Sequence, residues 1–267
     1  MTVISQRLYP LLQALLASRI HVGLVVGLIY VLSMPAGIAL SLKLAIFMMG
    51  FCVIWATYLA NVYTDKAEDE VNQAGIHVAV SPALIGLVAL APMPLVYSIM
   101  GWRGVMFVLV FFAICHLYSL KLPLFGLRIK DVFLLKNIYP GLIVVSGLIM
   151  LRLLFGFPVF FIDIALIFLI YFGNEILWDI RDMHGDTPNS TLPQRLGLKA
   201  TKALIVSIYV LVFAMYVTHW PYLLFAAWLP VLAVIGVTLK VQPNQNPLLF
   251  HLPVLTWVAF LGFLLCL

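Results

Sequence analysis

Eight of the ten carboxylates in this chain fall in two short stretches. The first, NVYTDKAEDEVNQ (61–73), holds Asp65, Glu68, Asp69 and Glu70. The second, EILWDIRDMHGD (175–186), holds Glu175, Asp179, Asp182 and Asp186. Asn61, Asp65 and Asp69 are spaced i, i+4, i+8, and Asp179, Asp182 and Asp186 are spaced i, i+3, i+7. Either spacing lines oxygen ligands along one face of a helix. Carboxylates and an amide form an oxygen-only ligand set, which suits a hard divalent ion such as Mg²⁺. Mg²⁺ keeps several waters and often bridges a few carboxylates to phosphate oxygens. Lys121, Arg128, Lys130, Arg181, Arg195 and Lys199 fall near the same breaks in the chain. A metal with basic side chains is one way a protein holds a diphosphate. The plainer alternative is that these acids are solvated loop residues at helix ends. Two ladders of matching phase, in a chain almost empty of acids elsewhere, favour the metal.

The elements that must position these acids are apolar. The chain has 267 residues, is 64% hydrophobic and only 9% charged, and its mean hydropathy is +1.14. A soluble globular domain does not have that composition. The apolar runs do not alternate with period two, which argues against a β-barrel. The expected fold is an all-α polytopic membrane protein, a single domain over 1–267. Nine transmembrane helices are expected at roughly 20–38, 42–62, 81–99, 104–120, 133–151, 157–178, 201–218, 221–239 and 247–266. Turn residues punctuate them, among them Pro35, Pro82, Gly101, Gly126, Gly156 and Pro221. Pro10 breaks the weak apolar stretch at the start, so residues 1–18 read as an interfacial helix and not as a signal peptide.

With the N-terminus in the cytoplasm, twelve of the fifteen Lys and Arg residues face that side; only Lys43, Arg103 and Arg152 face out. Both acidic stretches are then cytoplasmic, and a bacterial cell membrane is the expected location. The net charge of +5 reflects this topology and implies no nucleic acid. Cys52, Cys115 and Cys266 lie in apolar runs and imply no disulfides. Spans two and six both end at the cytoplasm, so the acids sit at helix C-termini. Carboxylates there are disfavoured by roughly several tenths of a kcal/mol each, and like charges at i, i+4 repel by a similar amount. Such an arrangement calls for a cation.

At these residues the sequence resembles the UbiA-type intramembrane prenyltransferases. The family's first motif, NDxxDxxxD, stands here as NVYTDKAED with Asn61, Asp65 and Asp69 in register. The second, DxxDxxGD, stands as DIRDMHGD with Asp179, Asp182 and Asp186, followed by TLPQRLG with Arg195. LYSLKLPLFGLRIKD resembles the loop after span four, with Tyr118, Lys121, Arg128 and Lys130 of matching type. The resemblance spans nearly the whole chain. It implies a helical bundle around a central cavity open to the cytoplasmic side and sideways to lipid. It also implies two Mg²⁺ ions: Asn61, Asp65 and Asp69 would hold one, and Asp182 and Asp186 the other, with Asp179 assisting. Arg128, Lys130, Arg195 and Lys199 would bind the diphosphate, and Tyr118 and Lys121 would join the acids in catalysis. Neutralising the leaving diphosphate would release an allylic carbocation, which a nucleophile then attacks. Two departures stand out. Val62 replaces the motif's second acid, and NQAGIHVAVSP lacks the arginine that commonly follows the first motif; His77 is a partial substitute.

The implied function is Mg²⁺-dependent transfer of an isoprenyl group from its diphosphate to an aromatic or other lipophilic acceptor. A membrane terpene cyclase of the same family is the alternative, and a transporter or lipid-binding scaffold is the third reading. Among the remaining polar residues, Glu175 lies deeper than the other acids and suits a cavity. Asp163 sits near the outer boundary, and His21, His219 and His251 sit near span ends, where an interfacial position is expected.

Overall fold

A chain that crosses lipid must satisfy its backbone polar groups internally, and helices do so. The computed structural model describes residues 13–35, 37–65, 79–121, 126–183, 186, 191–219, 224–243 and 248–266. The described residues form ten α-helices and one 3-10 turn, with no strand. The helices are α1 (Ile20–Leu32), α2 (Leu40–Thr64), α3 (Pro82–Leu90), α4 (Met93–His116), α5 (Leu135–Leu154), α6 (Phe161–Asp182), α7 (Leu192–Leu196), α8 (Leu198–His219), α9 (Leu224–Lys240) and α10 (Leu248–Cys266); the 3-10 turn is Ile129–Asp131. Among them α2, α4, α5, α6 and α8 are long and apolar enough to cross a membrane, and α1, α9 and α10 are shorter apolar helices. The protein is thus all-helical and polytopic. Most of the segment expected as an interfacial helix, 1–12, lies outside the described residues.

Residues Met1–Val31 with Gly37–His116 make one unit. Here α1 lies close against α2 because Gly23 and Gly27, four apart, expose backbone along one face. A Cβ on Gly23 would come 2.8 Å from the Phe51 carbonyl oxygen, and one on Gly50 would come 3.2 Å from the Gly27 Cα. Ser81 caps α3, its hydroxyl accepting from the Leu84 N–H at 3.2 Å, with Pro82 in the first turn. Cys52, Ala56, Leu59 and Ala60 of α2 bury themselves against Val80, Ile85, Val88 and Ala89, which anchors the end of α2 that carries the first acidic motif. Within α4, Gly101 has φ 62° and ψ −155°, a conformation open to glycine. A Cβ on Gly104 would lie 2.6 Å from the Val96 side chain. Those residues would be about 12 Å apart along a straight helix, so the chain folds back at Gly101. The break falls between the two spans expected at 81–99 and 104–120.

Residues Leu32–Ala36 with Leu117–Leu267 make the second unit. Its central helix is α6. Gly141 of α5 admits Phe168 of α6, a Cβ there lying 3.0 Å from the ring. On its other side Gly173 of α6 lies against Tyr209 of α8, where an added Cβ would come 2.8 Å from the ring, and the buried Tyr209 hydroxyl donates to the Ile170 carbonyl at 3.1 Å. His251 of α10 meets Trp178 of α6 edge-on, with centroids 5.0 Å apart. His251 and His21 are both buried within the protein, His251 against the Trp178 ring. At the far end of the α5–α6 hairpin, Arg152 pairs with Asp163 at 3.1 Å and donates to the Ser33 and Pro158 carbonyls. Asp163 thus has a protein partner.

Candidate functional site

The acids of the second motif converge on one end of the α5–α6 hairpin. Lys136, in the first turn of α5, places its ammonium 3.0 Å from Asp179 Oδ1 and in contact with Asp186 Oδ2. One cation touches both carboxylates, and the Asp186 N–H donates to the Asp182 carbonyl at 3.0 Å, which ties Asp186 to the end of α6. Asn137 donates from Nδ2 to the second oxygen of Asp179 at 2.9 Å, and both residues are buried. Asp182, between them in sequence, is gripped by its neighbour Arg181 through Nε at 2.5 Å and Nη2 at 2.7 Å. The Arg181 guanidinium is itself buried, 4.4 Å from the Trp178 ring centroid.

The surrounding loops attach to the same end. Tyr118 donates from its hydroxyl to the Lys136 carbonyl at 3.3 Å and stacks on Tyr139. Its own carbonyl accepts from the Lys130 N–H at 3.3 Å. The Gln194 side-chain oxygen accepts from the Thr191 N–H at 3.2 Å, and the Gln194 amide donates to the Met183 carbonyl at 2.7 Å, tying α7 to the end of α6. Arg195 then lies 3.7 Å from the Phe133 ring centroid, just before α5. Arg128 is occupied by Asp131, which accepts from its Nε and Nη2. Burial works against ionisation there, but the Arg128 bonds and charge, with Lys130, hold the Asp131 carboxyl below its usual value. Lys121 and Lys199 are exposed and lie outside the ion-pair cluster among the described residues.

The first motif ends α2. Asn61 is buried in the last turn, and Asp65 is the C-cap, its N–H donating to the Asn61 carbonyl at 2.8 Å. The Thr64 hydroxyl lies 3.1 Å from both that carbonyl and an Asp65 carboxylate oxygen. The expected helical ladder therefore runs from Asn61 to Asp65, where α2 stops; Asp69 and His77 lie outside the described residues. Val62 faces the apolar cluster of α2 and α3.

Lys136 and Asn137 did not stand out in sequence as site residues. The signal was a Lys-Asn pair opening an apolar span, a costly place for two polar groups unless each finds a partner.

The donor set fits a hard cation. Three carboxylates, Asp179, Asp182 and Asp186, face two protein cations, Lys136 and Arg181, which leaves one negative charge in excess. Burial and the neighbouring Asp182 push the Asp186 carboxyl up, against the pull of Lys136, to about 6. Among the described residues, no three acidic, histidine or cysteine side chains are already gathered around a vacant metal position.

No family model matches the chain, and no curated protein matches it. Solved structures do. A UbiA homologue from Archaeoglobus fulgidus, bound to DMAPP and Mg²⁺, matches with a TM-score of 0.58 at 14% identity, over 96% of this chain and 99% of that one. A UbiA homologue from Archaeoglobus fulgidus bound to GPP and Mg²⁺ matches at 0.54 and 17%, over 96% and 100%. A digeranylgeranylglyceryl phosphate synthase matches at 0.50 and 15%, over 95% and 99%. The chain has the fold of the UbiA-type prenyltransferases.

Proposed function

We propose that this protein is a Mg²⁺-dependent intramembrane prenyltransferase. It would move an isoprenyl group from its diphosphate to an aromatic or other lipophilic acceptor, as one domain of nine spans with its acidic motifs at the cytoplasmic face. The observation that carries this reading is the convergence of Asp179, Asp182 and Asp186 with Lys136 and Arg181 at one helix-hairpin end. It occurs on a fold whose relatives are described as bound to prenyl diphosphates and Mg²⁺.

Asp182 and Asp186 are the proposed Mg²⁺ ligands of the second motif, and Asn61, Asp65 and Asp69 those of the first. Bound Mg²⁺ would neutralise charge on the departing diphosphate. The chain's own groups do the rest. Asp179, buried and held by Asn137, orients Lys136. Tyr118 fixes the backbone of Lys136 through its carbonyl. Arg195, stacked on Phe133, and the basic residues Lys121, Arg128, Lys130 and Lys199 supply positive charge for phosphate oxygens. The apolar spans exclude water, which would otherwise intercept a carbocation.

The test is incubation of the purified protein in lipid with an isotope-labelled prenyl diphosphate, Mg²⁺ and a lipid extract, with products read by mass spectrometry. A prenylated acceptor that disappears in EDTA supports transfer. A cyclised product from donor alone replaces transfer by cyclisation, and labelled donor recovered intact in every arm refutes both.

A further inference from the structure

Every carboxylate of the second ladder already has a protein cation in contact. Lys136 holds Asp179 and Asp186, and Arg181 holds Asp182 with two bonds. Both oxygens of Asp179 are engaged, one by Lys136 and the other by Asn137, and its side chain is only 2% exposed. The Lys136, Asp182 and Asp186 side chains keep 16%, 14% and 12% exposure, so this end of the site still opens outward. A divalent ion entering among these acids would meet an ammonium tethered at the same place. Their repulsion is twice that of two unit charges and is weakly screened away from bulk water.

We propose that Lys136 is the built-in counter-ion of the second acidic ladder, which keeps free Mg²⁺ out until a diphosphate arrives with it. The inference rests on the reading of Asp182 and Asp186 as metal ligands. The contacts carry it: the Lys136 ammonium sits on an oxygen of Asp179 and an oxygen of Asp186, where a free ion would have to coordinate. Three carboxylates against Lys136 and Arg181 leave one negative charge. A divalent ion alone turns that into a positive excess, whereas a metal accompanied by a diphosphate leaves the site negative and lets the ammonium interact with phosphate oxygens. An ammonium has three donors; two are used on Asp179 and Asp186, and a third remains for phosphate. Metal and diphosphate then bind with positive coupling, which by linkage must be reciprocal.

The experiment is a Mn²⁺ titration followed by electron paramagnetic resonance on the detergent-solubilised full chain, with and without inorganic pyrophosphate. Wild type is expected to bind Mn²⁺ weakly alone and roughly tenfold or more tighter with pyrophosphate, a coupling in the usual range. Lys136→Gln is expected to bind Mn²⁺ alone at least about tenfold tighter than wild type, with the pyrophosphate effect reduced. Lys136→Arg keeps the charge and should behave as wild type. A folded Lys136→Gln protein whose Mn²⁺ affinity matches or falls below wild type overturns the counter-ion role, and shows an ion pair that only fastens α5 to α6. Should Lys136→Gln fail to fold, wild type decides: tight Mn²⁺ binding without pyrophosphate overturns the proposal. Wild type that binds no Mn²⁺ even with pyrophosphate overturns both this inference and the metal reading beneath it.

Discussion

Asp179→Ala separates the structural from the chemical acids of the second motif. Asp179 is 1% exposed and accepts from Lys136 at 3.0 Å and from Asn137 at 2.9 Å. Truncation leaves Lys136 with Asp186 but strands the Asn137 amide in a position that is fully buried. Each lost bond to a charged group is worth about 1.5–3 kcal/mol, and breaking a buried ion pair costs about 3–5 kcal/mol. For a chain of this size each kcal/mol moves the midpoint by roughly 2–4 °C. The expected fall in Tm is therefore about 6–20 °C, read by thermal unfolding in one detergent with intrinsic fluorescence. Asp179→Asn keeps the shape and one acceptor and should lose less. An Asp179→Ala protein that melts within about 2 °C of wild type would refute the reasoning, because the Lys136–Asp179–Asn137 contacts would then not hold α5 to α6.

Asp182→Asn should lower turnover of a prenyl diphosphate by about a hundredfold or more, while Tm falls less than in Asp179→Ala, since the Asn oxygen still accepts from Arg181. EDTA should abolish turnover and leave thermal stability unchanged, because each of the three acids already has Lys136 or Arg181 in contact; a large loss of Tm in EDTA would contradict this. Gly23→Val should destabilise by about 1–3 kcal/mol in the same melting assay, since its Cβ would press 2.8 Å from the Phe51 carbonyl. The Asp131 carboxyl is held below its usual value by Arg128, so its contribution to stability is present above an unfolded-state pKa of about 3.9 and is lost as pH falls through the lower folded value. The difference in Tm between wild type and Asp131→Asn should accordingly be seen near neutral pH and vanish at strongly acid pH.

Much of the fold was legible because lipid leaves few options: apolar runs of the right length become helices, and Gly101, Pro82 and Ser81 mark the breaks they chemically favour. The spacing of Asp179 and Asp186 likewise implied a shared face, and one ammonium touches both. The identity of that ammonium was not legible. Six other basic residues looked equally suited, and Lys136 comes opposite Asp179 through the packing of α5 on α6, in which Gly141 meets Phe168. Arg128 shows the reverse: a cation that matches by type is taken by Asp131, three residues away, a local pairing that spacing permitted but did not demand. Of the first ladder, Asn61 and Asp65 lie at the end of α2, which stops at Thr64 with Asp65 as its cap, and Asp69 lies outside the described residues.

The central claim is that the acids at this hairpin end take a dication together with a prenyl diphosphate. Anomalous diffraction from crystals grown with Mn²⁺ and a non-hydrolysable prenyl thiodiphosphate tests it most directly. A Mn²⁺ peak is expected within coordinating distance of Asp182 and Asp186 and of the diphosphate oxygens. A diphosphate bound elsewhere, with both carboxylates still closed on Lys136 and Arg181 and no metal between them, would contradict it.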